Sequence, residues 1–438
     1  MRHVHGLMVD RGEDTLGQRT PTVKGDAYSP QLKLINAGAW AGMKVGLPIG
    51  KLDAASIVLA AQRSTGLQDY GDDAFLSGLD QLIACVADAP ITSFARVMLR
   101  QTWMRAVKNR LWTVDYLKKH REVLDTKVER PIFVLGFPRT GTTLLQNLLS
   151  LDPRRRALQF WELTSPVPSV ADPLEDRRRR IAWISRQLSV AYTFAPEMGK
   201  VHYISPTTYE ECWPLFANAF AVFNFDLQSG RSQYGDYLLH EHDMVQAYGE
   251  YRQALQMLVH QQPADQLVLK CPEHLWFVDD LLENFPDACI VWTHRDPFDA
   301  VASYCSLISM QWRTLYGKFD PKDTGRHISS RFLEGIERAM ASRERHDSSR
   351  FYDVSFASLV RDPVGTVRDI ESYFGLNHHG ETDDAVRAYL ARKREDSRGS
   401  HVYSAERYGL DRDEINRRYA GYIDALPSDT LQRVPRAG

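Results

Sequence analysis

The residues of this chain that could do chemistry gather in two short, well-separated stretches. The first is Gly136-Phe137-Pro138-Arg139-Thr140-Gly141-Thr142-Thr143, between the apolar run Ile132–Leu135 and an apolar helical pattern over 144–151. Glycines let a backbone turn tightly, and the freed N–H groups and dipole of a helix start favour an anion. Gly136 and Gly141 have the five-residue spacing of the GxxxxGK[ST] phosphate loop, but Thr142 stands where that pattern has lysine. The grip on a triphosphate is therefore missing, and the nearest cation is Arg139. Taken alone, a Gly/Thr turn between strand and helix is also ordinary connection chemistry.

The second stretch is Cys289-Ile290-Val291-Trp292-Thr293-His294-Arg295-Asp296-Pro297, followed by Asp299, Val301 and Ser303. A buried strand here delivers Arg295 at its carboxyl end, and a helix opened by Pro297 carries Ser303 back to the same side. Guanidinium and hydroxyl make charge-assisted hydrogen bonds of the kind that hold a phosphate monoester.

In this order and these strand-to-helix settings, the two stretches resemble the sulfotransferases that use 3′-phosphoadenosine-5′-phosphosulfate (PAPS). Their 5′-phosphosulfate loop reads [KR]-[ST]-G-T-[ST], and Pro138-Arg139-Thr140-Gly141-Thr142-Thr143 matches it with arginine where most cytosolic members have lysine. The resemblance implies that this loop holds the 5′-phosphosulfate and that Arg295 and Ser303 hold the 3′-phosphate. Lys270-Cys271-Pro272-Glu273-His274 looks like the Lys-x-Pro-x-His segment of the bacterial branch, as does Trp161-Glu162. By spacing, Phe356 before Asp362-Pro363 replaces the adenine-contacting tyrosine of the cytosolic enzymes, so stacking survives and its hydroxyl bond does not. Their carboxy-terminal Arg-Lys-Gly loop is reduced to Ser397-Arg398-Gly399, with Arg398 as the remaining 3′-phosphate ligand. PAPS is then the co-substrate, 3′-phosphoadenosine-5′-phosphate the product, and no metal is expected.

Sulfuryl transfer is an in-line displacement governed by positioning and charge stabilisation, with a base taking the acceptor's proton. Two residues compete for that role: Glu162, expected at the end of the second strand, and His274, displaced by two positions from the Lys-x-His pair of cytosolic members. The bland alternatives are a carboxylate capping a turn and a histidine at a helix start. Lys270 is the expected second cation, on the bridging oxygen or the sulfonate. Arg154-Arg155-Arg156 could guide an anion inward, whereas Arg177–Arg180 read as a solvated helix face.

These groups need a scaffold. Apolar residues recur at three and four residue steps at Phe75, Leu79, Leu82, Ile83 and Val86, and again at Trp103, Val107 and Leu111, which predicts amino-terminal helices. Strand-like runs at 132–135, 157–161, 267–269, 289–292 and 351–354 alternate with helical segments, the pattern of a parallel sheet with crossover helices. The expected fold is α/β, a P-loop-like three-layer arrangement. Residues 1–127 form an amino-terminal helical region, and 128–438 form the α/β domain with a helical acceptor-binding insertion at about 170–262. Phe216, Phe220 and Phe223 suggest either helical core or the lining of a pocket for a hydrophobic or aromatic acceptor, with core the stronger reading.

Composition narrows the partners. A net charge of −2 over 438 residues gives no basic footprint for nucleic acid. Five scattered cysteines without CxxC spacing support neither a disulfide framework nor a zinc site. No secretory h-region follows Met1, and the most apolar stretch, Trp213–Leu227, is too short to span a bilayer. A cytoplasmic enzyme with a small-molecule acceptor, as monomer or homodimer, fits best. An ATP-dependent kinase and a non-catalytic nucleotide-binding protein are the rival readings.

Overall fold

The structure, a computed structural model, describes residues 30–194, 203–395, 404–427 and 430–431. Four helices lead: α1 (Pro30–Lys44), α2 (Ala54–Thr65), α3 (Phe75–Ala87) and α4 (Ser93–Lys119). The long α4 is started by Thr92, whose hydroxyl accepts the Ala95 N–H and donates to the Thr314 carbonyl, tying the cap to a distant helix. The predicted apolar positions Phe75, Leu79, Leu82, Val86, Trp103, Val107 and Leu111 are all buried, in the same cluster as Leu269, Trp292 and Phe332 of the α/β part.

The α/β part is the expected parallel sheet. Strand β1 (Ile132–Leu135) leads to α5 (Thr142–Leu149), β2 (Arg155–Ala157), α6 (Phe160–Thr164) and α7 (Pro173–Phe194). Helices α8 (Trp213–Phe216), α9 (Asn224–Ser229), α10 (Ser232–His240) and α11 (Met244–Gln261) fill the insertion before β3 (Gln266–Lys270). After α12 (Val278–Asn284) come β4 (Cys289–His294), α13 (Pro297–Tyr316), α14 (Pro321–Arg345) and β5 (Phe351–Ser355). Helices α15 (Phe356–Arg361), α16 (Pro363–Tyr373), α17 (Gly380–Glu395), α18 (Arg412–Arg418) and α19 (Ala420–Ala425) complete the described chain.

All strands run parallel in the order β2-β3-β1-β4-β5. Both faces are covered at the centre, which is why β1, β3 and β4 read as largely apolar runs, whereas the edge strands β2 and β5 carry polar residues. Side chains alternate across the sheet: Ile132, Val134, Val268 and Val291 pack toward α5 and α16, while Phe133, Leu135, Leu269 and Trp292 face the helical core. After β1 the chain runs out to the β2 edge, and after β4 to the β5 edge. That reversal leaves a crevice at the carboxyl ends of the central strands, where α/β sheets place ligands.

Three expectations are corrected. The second strand covers only Arg155–Ala157; a capping box, in which the Glu162 carboxylate accepts the Gln159 N–H at 2.8 Å, turns the chain into α6 instead. Phe216, Phe220 and Phe223 do not share one helix, because the chain leaves α8 through Phe220 in the left-handed region, φ 51°. All three rings are core: Phe216 stacks on Tyr251, Phe220 on Phe75, and Phe223 against Trp276. The arginine runs are structural as well. Arg155 is buried on Glu371 at 2.5 Å, Arg156 pairs with Glu162, and Arg154 pairs with Asp152. Arg178 and Arg179 are solvated partners of Glu175, but Arg180 is buried over Trp161 at 4.4 Å and paired with Asp176. Among the described residues no helix is long and apolar enough to cross a membrane.

The amino-terminal helices meet the insertion where Gly78 faces Phe220: a Cβ there would lie 2.7 Å from the Phe220 carbonyl oxygen. Backbone cannot give way as a flexible side chain would, so Gly78→Ala should lower stability by about 1–3 kcal/mol. The expected reading is a lower urea midpoint with an unchanged m-value; an unchanged midpoint would mean that this contact is not tight.

Candidate active site

The loop after β1 owes its shape to close approach. Gly136, φ 137°, lies where a Cβ would meet the Thr293 hydroxyl at 2.2 Å, so no other residue fits beside β4. Gly141, φ 94°, is pressed on Leu359 and the Phe356 ring. Between them Arg139 is itself left-handed, φ 76°, a conformation that costs a non-glycine residue about 1 kcal/mol or more and is concentrated at functional sites. The first-turn amides of α5 have no carbonyl a turn earlier to bond and point out of its amino end. Pro138 is buried in the turn. Thr140 is turned inward: its hydroxyl donates to the Phe137 carbonyl at 2.7 Å and lies 2.6 Å from that of Thr293. Thr142, the first residue of α5, is buried, while Arg139 and Thr143 are exposed.

Arg295 and Ser303 meet this loop directly. The Arg295 guanidinium donates to the Arg139 carbonyl at 2.8 Å and lies 4.6 Å over the Phe356 ring. Arg139 Nε donates to the Ser303 hydroxyl at 3.1 Å. Two guanidiniums, a hydroxyl and an aromatic face thus share one corner, supplied by the β1 loop, the end of β4, α13 and α15. Phe356 follows β5 directly and opens α15, capped by Ser355. Arg398 lies outside the described residues.

A second layer, unread in the sequence, fixes that corner. Asp296 caps α13 and is held with Asp299 by Arg412, at 2.8 and 3.2 Å, while the Arg412 guanidinium covers Phe298 at 4.0 Å. His294, next to Arg295, is fully buried, with Nδ1 2.8 Å from the Tyr422 hydroxyl and Nε2 2.8 Å from Asp353, which Arg343 grips through both nitrogens. Burial pushes the His294 imidazole down. Burial would raise Asp353, but His294 and Arg343 outweigh it and hold the carboxyl at about 2. A neutral ring between a hydroxyl and a carboxylate has one fixed tautomer.

On the other side of the loop, Lys270 ends β3 with its ammonium buried. Its Nζ lies 3.3 Å from the Thr143 hydroxyl and 3.1 Å from Glu211. Burial alone would push Lys270 down, but Glu211 and Glu210 reverse this and raise it, so it stays charged. Glu211 is 26 % exposed and is aimed at the ammonium by its backbone. The Cys212 N–H donates to the Lys270 carbonyl at 3.1 Å, Glu210 N–H to Leu158, and the Thr208 and Pro206 carbonyls accept from Phe160 and Trp161. The segment 205–212 thereby stitches α6 to the end of β3.

The two residues expected to compete as base are placed differently. Both oxygens of Glu162 are occupied, one by Arg156 and the other by the Gln159 N–H, and its side chain is buried. His274 is enclosed by Phe133, Phe216, Tyr248 and Tyr251, with Nδ1 2.7 Å from the Tyr248 hydroxyl. Burial pushes its imidazole down to about 3, so it is neutral in the ordinary pH range. No motif in the sequence marks Glu211. Its partner lies 59 positions away, beyond any local pattern.

Known proteins resemble this chain in sequence and in fold. A model of the Sulfotransferase family matches residues 131–380. The chain is 26 % identical over 286 residues to the omega-hydroxy-beta-dihydromenaquinone-9 sulfotransferase Stf3 of Mycobacterium bovis and of Mycobacterium tuberculosis, covering 62 % of this chain and 69 % of each relative. Its structure is similar to that of sulfotransferase STF1 from Mycobacterium tuberculosis H37Rv, with a TM-score of 0.75 and 30 % identity over 84 % of this chain and 98 % of that one. It is also similar to sulfotransferase STF9 from Mycobacterium avium, with a TM-score of 0.77 and 29 % identity over 85 % and 96 %.

Beneath the site, Glu273 is buried with one oxygen accepting the Phe223 N–H at 2.9 Å and the other without a partner among the described residues. Burial pushes its carboxyl up to about 8, from an ordinary 4.5. The folded state then keeps a proton that the unfolded chain releases between those values, so this contribution to stability is full below about pH 4.5 and is lost as pH rises toward 8. Glu273→Gln should therefore gain on wild type between pH 5 and 8, by up to about 1.4 kcal/mol per pH unit. Urea titrations across that range test it; a pH-independent difference would mean that Glu273 is charged when folded.

Proposed function

Because this chain belongs to the sulfotransferase family, we propose that it transfers a sulfuryl group from PAPS to a hydroxyl or amine of a small, apolar acceptor, releasing 3′-phosphoadenosine-5′-phosphate. The observation that carries this reading is the convergence of the β1 loop, Arg295 with Ser303, and the Lys270–Glu211 pair on one crevice. The α5 amides, Arg139 and Thr143 suit the 5′-phosphate and its sulfonate. Arg295 and Ser303 suit the 3′-phosphate, and the Phe356 ring beside Arg295 suits the purine. With threonine at position 142 in place of the Walker lysine, the loop favours this donor over ATP.

In the displacement, the acceptor oxygen bonds to sulfur as the bond from sulfur to the bridging 5′-phosphate oxygen breaks, and the acceptor's proton must leave. Glu211 is the group we assign to take it: a half-buried carboxylate beside the loop with access to solvent, where Glu162 is fully engaged and His274 is caged. Lys270 serves two purposes in turn. It orients Glu211 beforehand through their hydrogen bond, and it offsets the negative charge that grows on the bridging oxygen. Arg139, on the far side of the loop, adds a second cation to the leaving group.

The Stf3 relatives are named for a hydroxylated dihydromenaquinone, and a lipophilic alcohol is the acceptor class we expect here.

Two substitutions test the assignment. Arg295→Ala should weaken binding of 3′-phosphoadenosine-5′-phosphate roughly 10- to 100-fold in calorimetry, the worth of a hydrogen bond to a charged group, while ADP binding changes little. Equal losses for both nucleotides would place the 3′-phosphate elsewhere. Glu211→Gln should cut kcat by roughly 10²- to 10⁴-fold without weakening the donor, because Lys270 is then free for the anion. Turnover at the wild-type rate would return the proton to another group.

A further inference from the structure

A helix that lies on a water-soluble body normally turns a charged face outward. Helix α1 does not. Its inner side is anchored, with Leu32 buried and the Asn36 side chain accepting the Phe94 N–H at 3.0 Å, so its outer face is fixed. That outer face carries Leu34 at 76 %, Trp40 at 56 % and Val45 at 78 % exposure, continued by Leu47 at 52 % in the following turn. Small residues, Ala37, Gly38, Ala41 and Gly46, fill the spaces between them. The only charged residues from 30 to 52 are Lys33, Lys44 and Lys51, with no carboxylate among them. Lys44 lies over the Trp40 ring at 5.7 Å, and Asp53 at the far edge is already engaged with the start of α2.

We propose that this face of α1, with the turn at 45–48, docks on the surface of an anionic lipid bilayer. Exposed leucine, valine and tryptophan would enter the boundary between headgroups and acyl chains. Lysines on the same face would reach the lipid phosphates, their stems lying along the apolar surface. Tryptophan and lysine are the residues that settle at such a boundary. The absence of any acidic residue removes the repulsion that an anionic surface would otherwise meet. The helix is too short and too interrupted by charge to span a bilayer, so it would lie in the plane. The inference stands on α1 alone and is independent of the assigned chemistry.

The test is co-sedimentation of the full chain with phosphatidylglycerol–phosphatidylcholine vesicles and with phosphatidylcholine vesicles, at low and high salt. We expect binding to the anionic vesicles that weakens with salt. It should fall by roughly tenfold or more in Trp40→Asp and in the double variant Lys33→Glu/Lys44→Glu. Both variants should keep wild-type thermal midpoints and nucleotide affinity, since α1 touches none of the site residues. Failure to sediment with either vesicle, or unchanged binding by both variants, would overturn the proposal. A concentration-dependent dimer abolished by Trp40→Asp would overturn it in favour of a second copy of the chain as the occupant.

Discussion

An ammonium ion removed from water must be paid for in charge, and the Lys270–Glu211 pair is where this fold meets that demand. Lys270 ends a central strand with its ammonium buried, 3.1 Å from a carboxylate that remains partly in solvent. A buried cation with no partner would lose its proton or destabilise the chain by several kcal/mol. The partner cannot come from the strand itself. It comes from the 205–212 segment, whose backbone is hydrogen-bonded to β3 on one side and to α6 on the other. The requirement for neutralisation thus draws the insertion over the crevice, and the same contact leaves a carboxylate beside the phosphate loop.

The opposite side of the crevice is organised by fixed hydrogen bonds around two guanidiniums. Arg139 and Arg295 are brought together although like charges repel, because Arg295 binds the Arg139 carbonyl and Arg139 binds Ser303. Behind them, Asp296, Asp299 and Asp353 are already matched to Arg412 and Arg343. Helices α18 and α19 enter this scheme through Arg412 and Tyr422, which makes the carboxy-terminal part of the chain a support for the end of β4.

Local patterns were legible where the physics is local. The phosphate loop could be read because its glycines answer a backbone need at adjacent positions, and Gly136 against Thr293 shows how tight that need is. Strands β1, β3 and β4 could be read because a sheet covered on both faces at its centre demands apolar residues there. The short β2 differs from expectation: the apolar run at 157–161 begins at its last residue and passes into α6, and only the Gln159–Glu162 capping box marks the start of the helix. That same local bond, with Arg156, occupies the carboxylate that the sequence pattern made a base candidate.

By itself, then, the sequence determined the α/β class, the loop and the Arg295–Ser303 spacing. Each of these depends on residues within a turn or two of one another, or on a period that repeats along a strand or helix. Only the tertiary structure decided which carboxylate faces the buried lysine, that His274 is enclosed in aromatic rings, and that α1 presents an apolar face to solvent. Those outcomes depend on burial and on pairs of residues far apart in the chain. Burial decides whether a titratable group is charged, and nothing along the sequence fixes it until the chain has folded.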